Sequence, residues 1–81
     1  MQPSMTVESL MTRFESTYTG HHDQRWLARF RVALELYNTG QNIRGGYNST
    51  NLACATWVNN QRQKKHRLVP EKQQLLQFID V

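Results

Sequence analysis

Eighty-one residues with ten Lys and Arg against six Asp and Glu give a formal net charge of +4 and room for one domain. The single cysteine, Cys54, excludes an intrachain disulfide and a cysteine-rich zinc site. No apolar run approaches the roughly 20 residues of a membrane span, and the N-terminus lacks the apolar core of a secretory leader. The expectation is a soluble intracellular protein with no membrane partner, cytoplasmic in a bacterial-type cell or nucleoid-associated. The sequon Asn48-Ser49-Thr50 stands alone, with nothing else that reads as secreted. A domain this small buries only about 60% of its unfolded surface. Its core must therefore lean on eight aromatics: Phe14, Tyr18, Trp26, Phe30, Tyr37, Tyr47, Trp57 and Phe78.

Four helices are expected, in chain order. After residues 1–5, Val7, Leu10, Met11, Phe14 and Tyr18 fall on one helical face. Thr6 is placed to cap that helix, and Thr19-Gly20 to stop it. Asp23 is the expected N-cap of a second helix over residues 24–39, whose apolar stripe is Trp26, Phe30, Ala33, Leu34 and Tyr37. Gly40 sits where a left-handed residue would end it. Residues 40–49 read as a loop with Ile43 and Tyr47 turned inward. A third helix over residues 50–65, capped by Ser49 or Thr50, carries Cys54, Trp57, Val58 and Gln61 in phase. Gln61 is expected to be partly buried and bonded to backbone. Pro70 and Glu71 announce the last helix, whose buried side is Leu75, Leu76, Phe78, Ile79 and Val81. No segment alternates with a strand period. The expected fold is all-α: a three-helix core of helix-turn-helix type over residues 22–81, plus an N-terminal helix or arm over residues 1–21.

Chemistry-bearing patterns are sparse. The carboxylates are scattered, and Gly45-Gly46 lacks the spacing of a phosphate loop. Cys54 shares its helical phase with Trp57 and Val58, which argues for packing over nucleophilic use. His21, His22 and His66 have no acidic or thiol partner at ligand spacing. Trp26 and Trp57 lie on apolar stripes, which suits a core better than a base-stacking platform. No catalytic residue, metal or cofactor is expected.

The charge is different. Residues 61–72 hold five cations, Arg62, Lys64, Lys65, Arg67 and Lys72, against the one anion Glu71. Elsewhere the five arginines are cancelled by five carboxylates, so the whole surplus sits in this segment. By that count, replacing Arg25 and Arg29 should change binding far less than replacing Lys64 and Lys65. A localised positive field beside a helix is the footprint of a polyanion-binding surface. One or two cations would suffice to complement a helix C-terminus.

Trp26…Phe30…Leu34…Tyr37…Gly40, then Cys54-Ala55-Thr56-Trp57-Val58-Asn59-Asn60-Gln61-Arg62, then Leu68-Val69-Pro70-Glu71…Leu76…Ile79, together resemble the helicase-associated domain. That family is a small three-helix module often appended to bacterial superfamily-2 helicases. The likeness covers residues 26–81. It departs at Cys54 and Ala55, where the family has Leu and Gly, and in a shorter basic connector. The resemblance implies nucleic-acid binding.

The resulting expectation is a non-enzymatic nucleic-acid-binding module, for DNA or RNA, accessory to a helicase or other nucleic-acid enzyme. Arg62, Lys64, Lys65, Arg67 and Lys72 would contact phosphates. Asn59, Asn60 and Gln63 would reach bases or sugars. The alternative is a protein-docking module that presents Leu10, Phe14 and Tyr18 on its N-terminal helix.

Overall fold

The computed structural model describes residues 6–41, 43 and 52–81. The expected loop pin Tyr47, the caps Ser49 and Thr50 and the start at residues 1–5 lie outside them. Every regular element among the described residues is helical. They are α1 (Val7–Thr17), α2 (His21–Asn38), α3 (Leu52–Gln63) and α4 (Pro70–Gln77), with a 3₁₀ turn at Lys65–Arg67 before α4. None of these helices is long and apolar enough to cross a membrane.

Helix α1 starts as its sequence requires: the Ser9 N–H donates to Thr6 Oγ1 at 3.1 Å. Its apolar face is used within the chain, with Leu10 and Phe14 buried and Val7, Met11 and Tyr18 packed against the core. Phe14 meets Trp26 at 5.5 Å between ring centroids. The face on which docking through Leu10, Phe14 and Tyr18 would depend is thus already covered.

Helix α2 begins at His21, earlier than expected, with extended Gly20 as its N-cap. Asp23 is therefore not the cap and has another use. Its carboxylate pairs with Lys72 Nζ at 3.0 Å, while the residue sits inside the first turn, where negative charge still favours the helix dipole. The far end matches expectation. Gly40 has φ of 81°, its N–H donates to the Tyr37 carbonyl, and the Gln41 N–H reaches back to the Leu36 carbonyl. That bond pair is a Schellman stop, which needs a left-handed residue. A Cβ at Gly40 would meet nothing within 4 Å. Gly40→Ala should therefore cost about 1–2 kcal/mol from backbone conformation alone, with Gly40→Asn milder, in chemical denaturation.

Trp26 is the hub of the core. It stacks on Phe30 at 5.6 Å and lies 5.5 Å from Trp57, so α2 and α3 are joined through aromatic rings. Its indole N–H donates to Gln61 Oε1 at 2.8 Å in a buried bond. Gln61 was expected to be partly buried and bonded to backbone; it is buried, and its partner is this side chain. Ile43 is also buried.

Cys54 is buried, and that burial raises its thiol pKa above the ordinary value. It should resist a thiol reagent in native buffer and label readily in denaturant; rapid native labelling would contradict its place in the core.

Two stripe residues face outward. Tyr37 is 40% exposed at the end of α2, and Phe78 is 37% exposed. For Phe78 the cause is a second helix stop. Helix α4 ends at Gln77, Asp80 takes φ of 63°, and the Val81 N–H returns to the Leu76 carbonyl. This closing turn tucks Ile79 into the core and leaves Phe78 at its rim.

Candidate nucleic-acid interface

The last turn of α3 places Asn60, Gln63 and Lys64 on one face, because residues three and four apart are neighbours on a helix. The α-helix does not run to residue 65 as expected. It stops at Gln63, and the chain tightens into the 3₁₀ turn Lys65–Arg67, with the Arg67 N–H bonded to the Lys64 carbonyl at 2.9 Å. That turn returns Arg67 to the side of Lys64. Asn60, Gln63, Lys64, Arg67 and Leu68 together line one open groove. Leu68 is held from below, since Gln73 Nε2 donates to its carbonyl at 2.8 Å.

Four of the eight expected contact residues therefore converge: Asn60, Gln63, Lys64 and Arg67. The other four are placed differently. Lys65 Nζ donates to the Val81 backbone oxygen at 2.8 Å, tying the 3₁₀ turn to the end of α4. Lys72 is only 16% exposed in its side chain, pairs with Asp23, and stands 5.3 Å from the Trp26 ring centroid. Its charge is spent inside the molecule, holding α4 against α2. Arg62 is exposed but lies two residues, about 200° of helical rotation, from both Asn60 and Lys64. Asn59 is half-buried and about 100° from Asn60. Leu68, the apolar residue of the groove, stood in the sequence only as part of the family resemblance, because its place here comes from the turn that precedes it.

The groove has a simple electrostatic character. Lys64 and Arg67 have no ion-pair partner among the described residues, and no carboxylate lines the groove. Away from it, Tyr18 is half-buried between Glu71 and Asp23. Burial first, then its hydrogen bond to Glu71, holds the phenol above its ordinary value near 10. Among the described residues no three His, Cys, Asp or Glu come together as a metal site.

No family model, curated protein or solved structure matches this chain. The functional reading accordingly rests on the residues of the groove and their surroundings.

Proposed function

We propose that this chain is a nucleic-acid-binding module that grips the phosphate backbone through Lys64 and Arg67, with Asn60 and Gln63 beside them to meet sugar or base edges. The observation that carries this reading is the convergence on one groove of two amide side chains and two cations that, among the described residues, have no ion-pair partner and no carboxylate beside them. An unpaired cation at a surface gains little from the protein itself. Phosphates, by contrast, release condensed counterions when such a cation binds them, and that release drives association. Amides beside cations add hydrogen-bond donors and acceptors suited to nucleotides. The resemblance to the helicase-associated domain points the same way, towards an accessory role beside a helicase or other nucleic-acid enzyme.

The test is equilibrium binding to a labelled DNA duplex across a salt series. Lys64→Gln with Arg67→Gln should flatten the plot of log affinity against log salt by about 1.8, from roughly 0.9 per phosphate. It should weaken unrelated sequences alike, since phosphate contacts position more than they specify.

A further inference from the structure

We infer that the nucleic-acid surface continues from the groove across the seam between α2 and α3, with Arg25 and Arg29 as further phosphate contacts. The inference rests on the reading above and extends its footprint to a second helix.

The two helices run antiparallel. Trp26, early in α2, bonds Gln61 late in α3. Arg29 and Val32, further along α2, share a small pocket with Ala53, Cys54 and Trp57 early in α3. One edge of α3 thus carries Ala53, Trp57 and Asn60 and is continued by Lys64 just past its end, spaced by four, three and four residues. Its upper part borders Arg29, and its lower part lines the cationic groove. On α2 the facing edge is Arg25, Arg29 and Val32, again at helical spacing. Arg25 lies one turn before Arg29, about 6 Å along the axis, which brings it level with the Gln61–Lys64 turn.

The arginines of α2 are sorted by edge. Arg31, on the side of α1, is neutralised by Glu15 at 2.9 Å. Arg25 and Arg29, on the side of α3, are exposed and have no ion-pair partner among the described residues. Among the described residues no carboxylate lines the seam pocket or the groove. A charge count along the chain cancels Arg25 and Arg29 against carboxylates that the fold sends elsewhere. Of the five carboxylates in that count, Glu15 goes to Arg31 and Asp23 to Lys72. Arg25, Arg29, Lys64 and Arg67 thus form a strip of four cations along one side of an antiparallel helix pair. Its shape suits a sugar-phosphate backbone laid along the seam, and Val32, Ala53 and Trp57 give it an apolar flank.

The deciding experiment is fluorescence anisotropy with a labelled 20-base-pair DNA duplex between 50 and 200 mM salt. A four-cation strip predicts a wild-type slope near −3.6, a loss on the order of a hundredfold over that range. Arg25→Gln with Arg29→Gln, and separately Lys64→Gln with Arg67→Gln, should each bring the slope to about −1.8, a loss of roughly twelvefold. Arg25→Lys with Arg29→Lys should keep the wild-type slope, which separates charge from any packing of the Arg29 stem. Arg13→Gln, on α1 across α2 from the seam, should change nothing. Circular dichroism melting of each variant verifies the fold. If Arg25→Gln with Arg29→Gln keeps the wild-type slope while Lys64→Gln with Arg67→Gln flattens it, the seam is overturned and the groove stands. If Arg13→Gln flattens the slope equally, the seam is likewise overturned. If wild type shows no salt-dependent binding, the groove itself fails.

Discussion

Trp26→Ala should destabilise the fold by about 3–5 kcal/mol, the range for emptying a buried aromatic site. Three things are lost together. The ring leaves a void among Phe14, Phe30 and Trp57. Gln61 Oε1 loses its buried donor. Lys72 loses the ring face it stands against. A chain of this size has little stability to spare, so the variant is expected to be largely unfolded at 25 °C. Trp26→Phe separates the terms, since it keeps most of the apolar volume but strands the Gln61 oxygen. It should cost about 1–3 kcal/mol, and adding Gln61→Leu should recover part of that loss. Additive effects in that double-mutant cycle would contradict the Trp26–Gln61 bond.

The second large effect concerns α1. Phe14 is fully buried and touches both Tyr18 and Trp26. Phe14→Ala is therefore expected to cost about 3–5 kcal/mol. For the same reason, removing residues 1–20 should abolish cooperative unfolding and not leave a folded three-helix remainder. A truncated chain that melts in a single sharp transition near wild type would mean that α1 is a dispensable arm.

Much of this architecture could be read from residue spacing. The helix stripes, the Thr6 cap, the Gly40 stop and Pro70 at the start of α4 are local features, each written within a few residues. What spacing did not show depends on partners distant in the chain. Asp23 was expected to cap α2 because nothing nearby announced Lys72. Gln61 was assigned a backbone partner because Trp26 lies 35 positions away. The exposed Phe78 follows from a left-handed turn at Asp80, a residue type that adopts this conformation without being a reliable marker of it.

The candidate site was legible as a charge cluster but not as a geometry. Counting cations treated Lys64, Lys65, Arg67 and Lys72 alike. The fold separates Lys64 and Arg67, which line the groove, from Lys65 and Lys72, which brace α4. A ledger of formal charge also hid Arg25 and Arg29, because cancellation along a sequence is not cancellation in space.

The most direct measurement of the central claim compares the salt dependence of duplex DNA binding in Lys64→Gln/Arg67→Gln and in Lys65→Gln. Both changes touch the same basic segment, but only the first removes groove cations. The expected result is a slope flattened by about 1.8 for the pair. Lys65→Gln should keep the wild-type slope, with a stability loss of about 1 kcal/mol from its bond to the Val81 oxygen. Slopes that fall in proportion to the charge removed, irrespective of position, would contradict a built phosphate groove. So would a wild-type protein whose binding does not respond to salt.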